Sequence, residues 1–583
     1  MNFSTKYIPF LYLFTLLAGT LFFIPAIFVN RFLTVPALWI QVGIAVGTLG
    51  FVVKRNYILL PPREFLVILL LWLIYYLWRG GVNIETIVSV ATYYLALLLF
   101  FQILIYKSNK EKLFLVATII TVVLCAWCAG QLLGWLPRYN NQFSITGPFD
   151  NPAGISASLA ILLPFVLYGV ERNKKWVRLI YAIIATAVII SIILSQARAA
   201  VIAAVIIIFV FGIRWIKSTT KFKFYTFHYF LVLLVLISLF GCLYLLKKDS
   251  ANGRLLIWRC SGELVIQKPL FGHGANGFIA NYMDQQANYF TKHPDSKYAM
   301  LADNIRHPFN EYLKSIVEYG IVGFFLIVLL FFYPLYYSRK TLSKESSTIR
   351  LSLTAIAICA MCSYPLNYPF VGLMTILLFT FLLTYDNEKR ISISNNFVIK
   401  SIILLFSLGL LSATAYQAFY QREWYKTAHQ SLRGETDQML AQYKKLYIHL
   451  HRNELFLYNY AAELNVARHY EESQQISQEC DNIWADYDLQ MLMADNCLKL
   501  QQYKEAERHL KKAVAMCPVK FMPLYRLTEL YLETGRKDEA LELAKKIVSK
   551  QEKIPSPVIN SIKNKMRKLL NEQLACSEKN KEN

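Results

Sequence analysis

The chain has 583 residues, 56% of them hydrophobic and only 17% charged, a balance that excludes an ordinary soluble globular protein of this length. The net charge of +23 would fit a nucleic-acid footprint if the basic residues shared one face. They are instead spread through alternate connections between apolar runs, which makes them a membrane-topology signal and leaves no nucleic-acid partner.

Apolar runs long enough to cross a bilayer core of about 30 Å lie near 8–29, 33–53, 64–79, 84–106, 113–134 and 152–170. Others lie near 176–194, 199–216, 224–246, 309–337, 349–366, 368–385 and 397–419, roughly thirteen spans by length. The run 64–79 and the pair flanking SYPLNYP (363–369) are the weakest, and that pair has the pattern of one broken hairpin. The first run has no small-residue cleavage site and reads as a retained anchor rather than a signal peptide.

Basic clusters occupy every second connection: Lys54, Arg55 and Arg63; Lys107, Lys110 and Lys112; Arg172, Lys174, Lys175 and Arg178. The series continues with Arg214, Lys217, Lys221 and Lys223, then Arg339, Lys340, Lys344 and Arg350, then Lys389, Arg390 and Lys400. The intervening links hold only the isolated Arg31, Arg79, Arg138 and Arg198. The positive-inside rule then places the amino terminus in the cytoplasm and, with an odd number of spans, the carboxyl terminus outside. The expected fold is all-α: a polytopic helical bundle over 1–419, with an outer loop at 247–308, followed by an outward helical domain over 420–583. Cys125/Cys128 and Cys359/Cys362 have CxxC spacing but lie inside apolar helices, where cysteine packs as a small hydrophobe. No metal centre or other cofactor is expected.

Taken in chain order, five elements carry polar residues that a membrane chain does not need for solubility. In GPFDNPAGISASLAILLPF (147–165), Asp150 or Asn151 before Pro152 is a helix-start signal, with Asp150 a candidate for acceptor contacts. Arg198 stands in the short link SQAR, where a cation opposes the topology rule and either snorkels to headgroups or binds an anion. Next, the outer loop opens with GRLLIWRCSGELVIQKPLFGHGANGF (253–278). Arg254 and Arg259 flank Trp258, as in a helix lying at the bilayer surface, and two guanidinium groups suit bidentate binding of a diphosphate. The literal GxGxxG of Gly272, Gly274 and Gly277 has no βαβ context and reads as turn-forming.

The fourth element is RHPFNEYLKSIVEYGIVG (306–323). Pro308 suits a first helical position, which would make His307 the N-cap, its imidazole held neutral by the helix dipole and able to accept a proton. Glu311, Lys314 and Glu318 follow at spacings that put them on one helix face; an interfacial ion-pair stripe is the bland alternative to a catalytic role. The fifth is the tail. Tyr503, Ala506, Leu510, Ala513 and Pro518 recur 34 residues on, at Lys537, Ala540, Ala544, Ile547 and a region ending near Pro555. Upstream, Tyr470, Ser473 and Cys480 are equivalent at an offset of 33. Three units (454–486, 487–520, 521–554) and a degenerate fourth (420–453) resemble tetratricopeptide repeats, with Gly535 at an inter-helix turn. Such solenoids offer a face to a protein partner or serve as spacers.

Together GPFDNP, the outer Arg198, R–x3–W from Arg254 with PLFGHGANGF, and HPFNEYL–x3–EYGIVG resemble, over about residues 80–385, the O-antigen ligase and polymerase (Wzy-C) superfamily. The most specific part is N–x9–G–x2–G, from Asn310 to Gly320 and Gly323. The resemblance implies a GT-C-like membrane glycosyltransferase of the bacterial inner membrane, without a metal. It would move a glycan from undecaprenyl diphosphate to an acceptor hydroxyl on the periplasmic side. By motif, Arg198 and Arg254, with Arg259 beside them, would bind the donor diphosphate. The family's His commonly precedes the Asn directly; here that position is Phe309, and His307 matches the first His of an HxHN form. His307, Glu311 and Glu318 are the catalytic candidates, and Asp150 and Asn310 acceptor or structural ones. A lipid A core acceptor would make it a ligase, another repeat unit a polymerase, and a secreted protein's Ser or Thr an oligosaccharyltransferase. A transporter or flippase would show two related halves, which are not seen; a membrane scaffold would leave the Arg and His pattern unexplained.

Overall fold

The computed structural model describes residues 3–140, 142–219, 238, 241, 244–245, 247–341, 343–385 and 390–582. The chain divides into two units: Met1–Leu246 with Phe309–Arg422, and Lys247–Pro308 with Glu423–Asn583. Both are almost wholly helical. Among the described residues, nine helices are long and apolar enough to cross a membrane, and Tyr7–Phe22 and Pro369–Leu383 are shorter apolar helices. The chain is a multi-pass membrane protein. The span expected near 224–246 lies, apart from a few residues, outside the described residues.

The axis of the first unit is the helix Pro152–Arg172, buried along nearly its whole length. Its first turns are GISASLA, small residues that let neighbouring backbones approach where lipid offers no hydrophobic drive for helix association. Asn151 caps it, its side chain accepting from the Ala153 amide at 3.0 Å. Pro152 follows at a position whose missing N–H costs nothing. The expected broken hairpin is two helices, Lys344–Cys362 and Pro369–Leu383, joined across a 3-10 turn at Pro365–Asn367.

The basic connections meet at one end of this unit. Lys110 Nζ donates to the Thr384 carbonyl at 3.3 Å, Lys344 pairs with Glu171 at 3.2 Å, and Arg214 with the same carboxylate at 2.7 Å. A two-stranded antiparallel ribbon, Tyr57–Leu60 against Ile391–Ser394, ties two further basic connections together. Gln102 closes it, bonding the Leu59 carbonyl at 2.5 Å and the Leu59 amide at 3.3 Å. This ribbon is a departure from the all-α expectation. Its strands are four residues each and lie hundreds of positions apart, so no local hairpin signal announces them.

The second unit joins the 247–308 loop to the tail. In the loop are the helices Lys248–Gln267 and Gly277–Lys292. The tail holds three consecutive helix pairs: Glu454–Val466 with Tyr470–Asp481, Tyr487–Lys499 with Tyr503–Met516, and Met522–Glu533 with Lys537–Ser549. Each pair turns through a residue of positive φ: Arg468 (66°), Gln501 (59°) and Gly535 (76°). After each, the same backbone bond closes the first helix: His469 to Leu464, Gln502 to Cys497 and Arg536 to Tyr531, at 2.9, 2.8 and 2.8 Å. These offsets match the spacing read in the sequence. The loop, an insertion between membrane helices in the sequence, packs with the tail, because its buried polar groups find their partners there.

Candidate functional site

Within the membrane unit, the polar motifs collect opposite the basic end, around the break 363–368. The Pro152–Arg172 helix starts there and ends among the basic clusters. Tyr368, at the end of the break, is 1% exposed and packs edge-on against Phe149 at 5.3 Å; Asp150 acts electrostatically on its phenol. Tyr364 packs edge-on against Phe309 at 5.4 Å. Cys362, just before the break, is an electrostatic neighbour of Arg198. The Leu366 amide donates to the Glu311 carboxylate. Three connections distant in sequence therefore converge on one short irregular segment.

The helix that follows runs Glu311–Tyr337 and starts later than expected. Asn310, not His307, is its N-cap, accepting from the Leu313 amide at 3.0 Å. The reason is Phe309, whose φ of 53° cannot continue a helix from Pro308. His307 lies three residues outside the cap, away from the N-cap position expected for it. The one-face reading of the carboxylates holds: Lys314 lies between Glu318 and Glu311, which with the Tyr76 phenol are its electrostatic partners. Glu318 is only 5% exposed, and a carboxylate and an ammonium persist at such depth when they compensate one another.

Two residues beyond Glu318 the helix breaks. Gly320 has φ 64° and ψ −173°, a conformation essentially reserved for glycine. Tyr75 of the helix Arg63–Gly80 donates its phenol to the Tyr319 carbonyl at 2.5 Å. At Gly323 a Cβ would stand 2.6 Å from the Tyr75 ring, so the second glycine makes room for the ring that serves the break. Beside this cluster is a largely apolar cavity of about 360 Å³, lined by Trp72, Tyr76, Tyr93, Leu330, Leu366 and Gly372 among others. Tyr76 and Leu366 belong to both the cavity and the charged cluster. Neither they nor Lys314 stood among the candidates; only Lys314, by its spacing, had a signal.

Arg254, Arg259 and His307 belong to the second unit. Arg259 lies over the Tyr289 ring at 5.1 Å, a cation–π contact. Trp258, half-buried, donates its Nε1 to the Pro308 carbonyl at 2.9 Å. The glycine-rich stretch is a turn, closed by the His273 ring against the Leu264 carbonyl at 2.9 Å. The eight described cysteines are all free thiols.

The bundle and its polar break define a multi-pass membrane protein that holds compensated charge beside an apolar cavity. The O-antigen ligase family (Wzy_C) matches residues 182–328, a stretch that contains every candidate above except Asp150. Members of that family are membrane glycosyltransferase-like ligases and polymerases. A relative from Haemophilus influenzae, an uncharacterized protein, is 27% identical over 100 residues. That match spans 17% of this chain and 23% of the relative's length.

Proposed function

We propose that the protein is a glycan transferase of the O-antigen ligase type, acting at the periplasmic face of a bacterial inner membrane. The observation that carries the reading is the convergence of Arg198 and the Glu311–Lys314–Glu318 cluster on the 363–368 break, beside an apolar cavity. A polyprenyl diphosphate donor has both chemistries, a hydrocarbon tail and an anionic head. The basic connections gathered at the other end of the bundle support a cytoplasmic assignment for that end, and so an outward one for the break.

In the proposed reaction an acceptor hydroxyl attacks the anomeric carbon. The bond from that carbon to the diphosphate oxygen breaks, and undecaprenyl diphosphate leaves with the electron pair. Arg198 and Arg254, with Arg259, stabilise the negative charge that grows on the leaving group. His307, or a carboxylate of the Glu311–Glu318 pair, takes the hydroxyl proton, with Asp150 contacting the acceptor. The acceptor is lipid A core, a growing polysaccharide, or Ser or Thr of a secreted protein. The helix pairs at 33- and 34-residue spacing support reading the tail as periplasmic tetratricopeptide repeats, which tilts the choice towards a protein acceptor or partner.

The test is a deletion strain, profiled for lipopolysaccharide, polysaccharide and glycoprotein and complemented with wild type, Arg198→Ala, His307→Ala or Glu318→Gln. Loss of one class of product, restored by wild type alone, is expected and names the acceptor. Full transfer by Arg198→Ala and His307→Ala proteins in membrane vesicles would overturn the assignment.

A further inference from the structure

The segment 303–308, which carries His307, is pinned at almost every residue within the second unit. Gln286, fully buried, donates from Nε2 to the Asp303 carbonyl at 3.0 Å and to the Met516 carbonyl at 2.7 Å. Its Oε1 accepts from the Tyr282 phenol at 2.7 Å. One side chain thus joins the loop helix, the His307 segment and the end of a helix in the second pair. Asn304 donates to Asp486 at 2.8 Å, and Asp486 also caps the next helix through the Asp488 and Leu489 amides at 2.8 and 3.2 Å. Arg306 pairs with Glu454 at 2.7 Å and lies over the Trp484 ring at 4.8 Å. Pro308 is held by Trp258.

Two further ties run along the same edge of the array. The Ala485 amide donates to the Ile279 carbonyl at 3.1 Å, and Lys512 pairs with Asp284 at 2.8 Å. Glu454, Trp484, Asp486, Lys512 and Met516 all sit at the ends of paired helices or in the links from one pair to the next. The array offers this edge to its own loop through the charges of Glu454 and Lys512, the capping carboxylate of Asp486 and the helix-end carbonyl of Met516, a group that the helix itself leaves without a partner.

We infer that the repeat array is a splint for the His307 segment, with Glu454 and Gln286 as positioning residues for the reaction; this rests on the transferase reading above. An unbraced six-residue connection would sample many backbone states. Tying alternate residues to paired helices removes that freedom before substrate arrives, and catalysis depends steeply on such placement. Glu454 acts through Arg306, the immediate neighbour of His307, and Gln286 through the Asp303 carbonyl. On this view the edge of the array that holds 303–308 positions the segment of His307 even where no partner protein docks on the tail.

The experiment uses the full chain in proteoliposomes containing an undecaprenyl diphosphate glycan, with initial rates measured against donor concentration and hydrogen exchange followed over 303–308. Glu454→Gln and Gln286→Ala are expected to speed exchange there and to lower kcat on the order of 10–100-fold, with the donor KM within about twofold, since ground-state binding is untouched. The exchanged pair Arg306→Glu with Glu454→Arg should recover most of the rate, which a general loss of folding would not allow. Arg526→Ala, which removes an exposed i,i+3 pair with Glu529 away from the edge that holds 303–308, should match wild type. Faster exchange with an unchanged kcat, or a swap that recovers nothing, overturns the splint. An inactive wild type on all three acceptor classes instead overturns the functional reading itself.

Discussion

Replacing Gly320 by alanine tests whether the break after Glu318 is built into the fold. With φ 64° and ψ −173°, an L side chain there costs about 1–3 kcal/mol from backbone strain alone. The break is tied to Tyr75, whose phenol reaches the Tyr319 carbonyl at 2.5 Å. Removing that hydroxyl with Tyr75→Phe should cost a further ~0.5–1.5 kcal/mol when made alone. Because both changes act on the same turn of helix, the double variant should lose less than the sum. Gly50 is the control: a Cβ there meets nothing within 4 Å, so Gly50→Ala should be neutral or stabilise by up to ~1 kcal/mol through helix propensity. The assay is the apparent thermal midpoint of the full chain in detergent, read as a rank order. The expected order is Gly50→Ala at or above wild type, then Tyr75→Phe, then Gly320→Ala. A Gly320→Ala protein as stable as Gly50→Ala would show that the helix can run straight through this point, and the account of the paired glycines would fall.

Two other outcomes follow from buried charge. Lys314→Ala should cost about 3–5 kcal/mol, the usual penalty for stranding buried charge, and combining it with Glu311→Gln and Glu318→Gln should restore much of the loss; a single variant with the wild-type midpoint would refute the compensation. In the tail, His509 is 1% exposed, hydrogen-bonded to Gln490 at 2.8 Å, and its imidazole is pushed down to about 4 by burial and then by Arg508. Between pH 6.5 and 4 the unfolded chain binds a proton that the folded chain refuses, so stability falls as pH drops through that window, by up to ~3 kcal/mol. Pulse proteolysis of the full chain at pH 7 and pH 5 should show the tail helices weakening, and His509→Gln should flatten the slope; an unchanged slope would assign the effect to other groups.

The parts of this protein legible in its sequence are those with a period. Apolar runs gave the membrane helices their places, and the 33- and 34-residue spacing located the helix pairs down to the turn at Gly535. The 4-and-3 spacing of Glu311, Lys314 and Glu318 put them on one face, as found. What stayed hidden has no period. The helix start moved from Pro308 to Glu311 because one residue, Phe309, takes a positive φ, against the preference of a bulky side chain. Tyr76 reads as one more aromatic in an apolar run until the fold sets it beside Lys314.

The packing of the loop onto the tail was hidden for a related reason. Gln286 and Met516 are 230 positions apart, and a glutamine reaching for a helix-end carbonyl leaves no pattern in either stretch. Yet that pairing changes the meaning of what was legible. Helix pairs read alone leave their edges open; here those edges satisfy buried polar groups of the loop that carries His307. The same shift applies to Asn310 and Gly320, which signal a family by their spacing and, in the fold, set where one helix begins and where it bends. Between them lie Glu311, Lys314 and Glu318, so the two backbone devices fix the frame in which those three charges meet.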